Sequence, residues 1–193
     1  GAGVITERVY CGGSVSCPNH AAIRLTSTVS GGGKSTEYID VLGRVVRTSK
    51  VMFDGRESLV DTEYDIQGRV SRKSEPYFAN ETVYWTVFNE YDLVNRLTKA
   101  TAPDDTETTN SYSGYETLST MDSGTNGKKL TRKEERNGLG NLVKVTDHAT
   151  GTISYGYDPL GNVISATTTS AGQNIVVRMC YDNLGRKIAM HDP

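Results

Sequence analysis

The sequence predicts an all-β chain of consecutive antiparallel β-hairpins forming a repeat strip. Two observations carry that expectation. A phrase of Tyr-Asp-x-x-Gly-Arg/Asn recurs at Tyr64-Asp65-Ile66-Gln67-Gly68-Arg69, Tyr157-Asp158-Pro159-Leu160-Gly161-Asn162 and Tyr181-Asp182-Asn183-Leu184-Gly185-Arg186. Around the phrases Val, Ile, Thr and Tyr dominate and alternate with polar residues, with no long run apolar at i, i+3, i+4 and i+7. Recurrence at a nearly fixed period points to stacked units, each too thin to bury its apolar face without neighbours.

The segment 1–35 precedes the first phrase and is expected to form strands too. It holds Cys11 and Cys17, which bracket the flexible Gly12-Gly13-Ser14-Val15-Ser16. Three states are open to the pair: a disulfide, free thiols or a metal site. A disulfide closing so small a loop adds about 2 kcal/mol in the chain-entropy model. Zinc needs further ligands at suitable spacing, and His20 alone does not supply them.

The repeat array occupies 36–193. Units centre on positions 40, 65, 92, 113, 137, 158 and 182. The first, Tyr38-Ile39-Asp40, reads as carrying one extra residue between Tyr and Asp. Tyr91-Asp92-Leu93-Val94-Asn95-Arg96 puts Asn at the glycine position. Tyr112-Ser113-Gly114-Tyr115 is a shortened copy, and Asn137 replaces Asp in the fifth unit.

Within a phrase, Asp65, Asp92, Asp158 and Asp182 are placed to accept hydrogen bonds from backbone N–H groups two or three residues on. Gly68, Gly161 and Gly185 supply the positive φ that ends such a turn, a conformation Asn also tolerates. The preceding Tyr64, Tyr91, Tyr157 and Tyr181 bring a large apolar ring and a hydroxyl that needs a partner when covered; in register they would form a ladder. Between phrases lie second turn signals at Pro103-Asp104-Asp105, Ser123–Gly127, Ala149-Thr150-Gly151 and Ala171-Gly172. Two turns per unit give two antiparallel strands per unit.

Net charge is −2, so no electrostatic footprint for nucleic acid is present. No run of about 18 apolar residues exists to span a membrane as a helix. The chain opens without a signal peptide and stops midway through a repeat, as expected of a fragment of a longer protein. Catalysis by the recurring Asp residues needs converging carboxyls, whereas each is occupied by its own turn. Only His20, His148 and His191 are available as imidazole bases, and no nucleophile–base–orienter set recurs. Neither catalytic residues, nor a metal site, nor a cofactor is expected. Cys180 sits in a strand and reads as a small core residue.

The aromatic group Tyr77, Phe78, Tyr84, Trp85 and Phe88 falls outside the repeat logic. Buried, it closes the core of the widest repeat. Exposed, Tyr77, Tyr84 and Trp85 make a platform on which a glycan could stack.

The Tyr-Asp-x-x-Gly-Arg phrases at 64–69 and 181–186, with their variants, resemble the YD repeat of Rhs proteins, from about Thr36 onward. That family includes bacterial polymorphic toxins, the C component of insecticidal toxin complexes, wall-associated bacterial proteins and animal teneurins. The stretches Val60–Asp65, Ser74–Phe78 and Tyr84–Thr86, and a Cys pair before the first clear repeat, are similar to large exported Rhs proteins of gamma-proteobacteria. The resemblance implies a β-strip that spirals into a hollow shell and encloses or displays a C-terminal toxin domain. The partners implied are further repeats of the same chain, an encapsulated toxin domain or surface glycans, and the location is secreted or cell-surface. In the toxins a self-cleaving aspartyl site releases the cargo. Here Asp158-Pro159-Leu160-Gly161 is an ordinary repeat turn without a second Asp-Pro-x-Gly partner, so that activity is not carried over. Cut from its neighbours, a strip exposes sheet edges and is expected to self-associate.

Overall fold

The computed structural model describes residues 3–122, 129–148, 151–170 and 172–192. The turn signal at Ser123–Gly127 and the residues Ala149, Thr150 and Ala171 lie outside them. Among the described residues there is no helix. The chain divides into two compact units, one of Gly1–Arg96 with Ala100–Asp104, the other of Leu97–Lys99 with Asp105–Pro193.

The first unit contains β1 (Val4–Tyr10), β2 (Ile23–Val29), β3 (Lys34–Ile39), β4 (Val45–Val51), β5 (Glu57–Tyr64), β6 (Val70–Ser74), β7 (Tyr77–Phe78) and β8 (Trp85–Tyr91). From β1 to β6 each strand pairs antiparallel with the next. β6 and the two-residue β7 lie one after the other along β5, and β8 pairs with β6. Pro76 falls between β6 and β7, where a residue without an N–H interrupts a ladder. β9 (Leu97–Thr101) divides between the units.

The second unit contains β10 (Glu107–Ser113), β11 (Glu116–Asp122), β12 (Lys129–Arg136), β13 (Leu142–Asp147), β14 (Thr152–Tyr157), β15 (Val163–Ser170), β16 (Gln173–Tyr181) and β17 (Lys187–His191). These pair antiparallel in chain order. The segment 1–35 is itself strand-forming, since β1 and β2 lie within it and β2 continues into the first repeat strand.

The cores are thin. Among the described residues Val145 is the one buried hydrophobic side chain, while Thr36, Asp40, Ser49 and Ser74 are buried polar groups. In the second unit the registers sort the faces. Val145 faces the side shared with Ile153 and its cross-strand partner Thr168. The opposite side carries Lys133, which bridges to Glu116 at 2.8 Å. The two sides are nevertheless mixed, since Val145 pairs directly with Glu134 on its own side and Lys133 with Leu118 on the other.

Two sequence expectations need correction, at Ile39 and Cys180, and a third, the shortened copy at 113, is made specific. Ile39 pairs with Val45 just as Tyr64 pairs with Val70, so Ile39 occupies the Tyr position and no residue is inserted before Asp40. The unit at 113 is a tight hairpin in which Ser113 pairs with Glu116 across Gly114 and Tyr115. Cys180 is exposed. It pairs with Ala189 of β17, and neither that small partner nor the thin sheet covers the thiol.

Candidate functional site

Every phrase except the shortened one at 112–115 folds into the same five-residue turn. In the first, the Asp40 N–H donates to the Arg44 carbonyl and the Gly43 N–H to the Asp40 carbonyl. The Asp40 Oδ1 accepts from the N–H groups of Leu42 and Arg44, both at 2.9 Å. Its Oδ2 accepts from the Arg44 Nε at 2.7 Å. Asp65, Asp92 and Asp182 repeat this arrangement with Arg69, Arg96 and Arg186. At Asp158 the Asn162 amide takes the arginine's place at 2.8 Å. At Asn137 the side-chain oxygen accepts from Leu139 and Asn141. Gly68 and Gly161 hold φ of 82° and 86°, and Asn95 fills the same slot at 63°. These values lie in the left-handed region that Gly and Asn enter at least cost.

The same contacts set the carboxyl pKa values. At Asp40 and Asp65 burial pushes the carboxyl up, but the N–H and guanidinium donors of Arg44 and Arg69 outweigh it and leave both below the usual value. Asp92 and Asp182 are lowered first by the backbone N–H groups of Arg96 and Arg186, and Asp158 first by the Asn162 amide.

The Tyr before each turn ties one repeat to the previous one. Tyr64 donates its hydroxyl to the Val45 carbonyl at 2.9 Å, Tyr91 to Val70 at 2.6 Å, Tyr112 to Leu97 at 2.8 Å and Tyr157 to Leu142 at 2.7 Å. Every acceptor is the first residue of the strand that follows the preceding phrase. A β-bulge sits at Glu63/Tyr64 and at Gly156/Tyr157, where it re-aims the strand end. Tyr181 holds the same place before Asp182 and is half-buried.

One element was not anticipated from the sequence. The Arg44 guanidinium lies over the Tyr64 ring at 4.4 Å and that of Arg69 over Tyr91 at 4.5 Å. The turn Asp therefore holds an Arg flat against the Tyr of the next repeat, a cation–π stack. The recurrence of Arg four residues after Asp was the available signal.

The aromatic region divides. Tyr84 is 59% exposed and not a core residue, because it lies just outside the two-residue β7 and the start of β8. Trp85 is half-buried with the Arg72 guanidinium 4.3 Å above it, and Arg72 is itself held by Glu63. Tyr77 donates to the Asp61 Oδ2 at 2.7 Å and accepts from the Arg47 Nη2 at 3.0 Å. Burial first, and then the Asp61 carboxylate, push the Tyr77 hydroxyl up to about 12. Phe78 is covered by Arg56 at 3.9 Å, and Phe88 is half-buried.

Cys11 and Cys17 are joined as a disulfide with Cα atoms 5.8 Å apart. The loop leads into Pro18, Asn19 and His20, which line a cleft of about 870 Å³ with Asp40, Arg44, Arg47, Asp61 and Trp85. The cleft's charges are matched: Arg44 with Asp40, and Arg47 with Asp61. That pairing suits a structural interior better than a binding site for a charged ligand.

The RHS Repeat family model matches residues 136–175, spanning the Asn137 turn to β16. No curated protein matches the sequence. The fold is similar to a chain in the crystal structure of TcdB2-TccC3-Cdc42, with a TM-score of 0.57, 13% identity and 90% of this chain covered. It is also similar to a chain in a Photorhabdus luminescens Tc holotoxin pore, with a TM-score of 0.56, 14% identity and 86% of this chain covered. This chain spans only 12% and 10% of the length of those two. Residues 136–175 thus match the RHS repeat, the YD-repeat family that the Tyr-Asp phrases of the wider chain resemble in sequence.

Proposed function

We propose that this chain is a structural wall segment of a large exported bacterial protein, part of a β-shell that encloses or displays a toxin or effector domain. The observation that supports this reading is the Tyr rung. The hydroxyls of Tyr64, Tyr91, Tyr112 and Tyr157 are spent on the backbone of the repeat before, and Arg44 and Arg69 on the ring of the repeat after. Side chains that recur with this regularity are used for construction. The likeness in fold to chains of toxin complexes supports the same role. The partners on this reading are further repeats of the longer chain and a domain on the walled side, and the location is outside the producing cell or on its surface. The segment works by enclosure and carries no catalytic role of its own.

The glycan-binding alternative finds less support. Arg72 lies over the Trp85 ring, and the Tyr77 hydroxyl is engaged by Arg47 and Asp61. Titration with oligosaccharides should leave Trp85 fluorescence unchanged, and saturable quenching would restore that alternative.

The wall role is tested in the full-length protein. Tyr64→Phe and Tyr157→Phe together should make the enclosed domain more sensitive to protease than it is in the parent. Unchanged protection, with the variant measurably less stable, would count against a wall function.

A further inference from the structure

Among the described residues, six of these five-residue turns begin with an Asx residue. Five begin with Asp, and the turn at 137 begins with Asn. That turn differs at its second residue too. The place holds Val41, Ile66, Leu93, Pro159 and Asn183 in the other five, and Gly138 here. A side-chain amide followed by a residue without a side chain is the pair in which the next backbone nitrogen most easily reaches the amide carbon. The two departures are adjacent, and both belong to one reaction.

The local geometry leaves that reaction open. The Asn137 Oδ1 accepts from the N–H groups of Leu139 and Asn141, both at 3.0 Å. Two donors on one carbonyl oxygen draw charge from its carbon and stand where a tetrahedral intermediate carries its oxyanion. The Gly138 N–H meets no acceptor among the described residues, so its nitrogen has no hydrogen bond to give up. Gly138 is exposed, and the nearest atom to a Cβ built on it is the Tyr115 hydroxyl at 3.7 Å. The amide also lacks the partner found in the next turn. There the second oxygen of Asp158 accepts from the Asn162 amide at 2.8 Å, whereas the NH2 of Asn137 cannot accept from Asn141.

We propose that Asn137 is a self-modification site, deamidated by the backbone of Gly138 with water as the co-reactant. The Gly138 nitrogen gives its proton to solvent, attacks the Asn137 Cγ and forms a C–N bond. The Cγ–Nδ2 bond breaks, and Nδ2 takes a proton from solvent and leaves as ammonia. Water then opens the five-membered imide. Addition at Cγ breaks the new C–N bond and gives Asp, whereas addition at the main-chain carbon of residue 137 gives an isoaspartyl linkage. The turn favours Asp. Its donors sit on the Cγ oxygen, and only an α-linked backbone keeps the bonds from the residue 137 N–H to the Asn141 carbonyl and from the Gly140 N–H to the residue 137 carbonyl, both 2.9 Å. The carboxylate so formed completes the turn, because Asn141 is placed to donate to it as Asn162 does to Asp158. Arg136, bonded to the Gly140 carbonyl at 3.0 Å, brings positive charge to the same turn. Each conversion lowers the net charge of −2 by one. The inference goes beyond the wall reading and does not depend on what the wall encloses.

The test uses the 193-residue chain, aged at mildly alkaline pH and digested for peptide mapping, with Asp and isoaspartyl forms separated by chromatography. The peptide holding residue 137 should gain the mass of an acid in place of an amide, with Asp in excess over isoaspartate. Mapping separates it from Asn126-Gly127, the other Asn-Gly pair, which lies outside the described residues. Gly138→Ala should slow conversion severalfold with the fold intact, because φ there is not positive and the Tyr115 hydroxyl leaves room for a Cβ. Asn137→Asp, the product made directly, should match or exceed the parent's urea midpoint. Three results would overturn the proposal. One is an intact amide at 137 after the free peptide Arg136–Leu142 has converted. Another is isoaspartate in excess in the folded chain, which would mean that the turn does not direct the opening. The third is an Asn137→Asp chain less stable than the parent, which would make the amide the group this turn requires.

Discussion

The Tyr64 hydroxyl donates to the Val45 carbonyl at 2.9 Å while its ring lies beneath the Arg44 guanidinium at 4.4 Å. A single side chain therefore reads two consecutive residues of the previous repeat, one through its polar tip and one through its face. The Arg is presented by Asp40 and the carbonyl by the first residue of β4. Misplacing the turn would break both contacts at once, so the geometry of one turn is transmitted to the next repeat.

Removing the hydroxyl isolates the rung. Tyr157→Phe should cost about 0.5–1.5 kcal/mol, the usual net value of a hydrogen bond, and Tyr157→Ala more. Urea unfolding followed by circular dichroism measures both. An unchanged midpoint for Tyr157→Phe would mean that the Leu142 carbonyl is equally well served by water.

Asp40 is the most buried of the turn carboxylates, with the side chain 5% exposed. Asp40→Ala leaves two N–H groups and Arg44 without their acceptor and should cost about 1–3 kcal/mol. Asp40→Asn keeps the Oδ1 acceptor, as Asn137 does naturally, and should recover most of the loss.

The turn carboxyls give a pH dependence of definite sign. Asp40, Asp65, Asp92, Asp158 and Asp182 all lie below their usual value in the folded state. In the unfolded chain they return to about 3.9 and bind protons more readily. Their contribution is therefore complete above about pH 5 and is lost as pH falls through 4 toward the folded values. Denaturation midpoints measured from pH 7 to 2.5 should fall in that window. Replacing Asp65 and Asp92 by Asn should flatten the slope.

The Arg72 guanidinium over Trp85 is a reporter of local packing. Arg72→Ala should shift Trp85 emission to longer wavelength as the ring gains water, with a loss of about 0.5–1 kcal/mol. Emission that stays put would place the ring's shielding elsewhere, in its neighbours on β8.

Joining Cys11 to Cys17 closes a small loop, worth about 2 kcal/mol through the unfolded chain. Cys11→Ser with Cys17→Ser should lower thermal stability accordingly, and a thiol reductant should lower the parent to the level of the double variant. Equal stability of all three would mean that the loop folds without the bond.

Much of this protein was legible in its residues. The Asp-x-x-Gly spacing predicts a turn because a carboxylate reaches N–H groups two or three residues ahead, whereas the structure puts its donors two and four residues ahead. The β-branched alternation between turns leaves only strands to join them. These are local constraints, carried within five or six residues. Position 38–40 shows where that reading stops. The sequence places Tyr38 in the rung, but cross-strand register puts Ile39 there, and register is a property of two strands together. Cys180 shows the same limit, because burial depends on how many layers cover a strand.

By itself, then, the sequence determined the repeat, its turns and its all-β character. Tertiary structure alone decided which carbonyls the hydroxyls of Tyr64, Tyr91, Tyr112 and Tyr157 meet, that Arg44 and Arg69 stack on the next repeat's ring, and that Trp85 lies under Arg72. The physical reason is range: turn chemistry acts along the chain, whereas rungs, stacks and edges exist only after antiparallel pairing has set distant residues side by side.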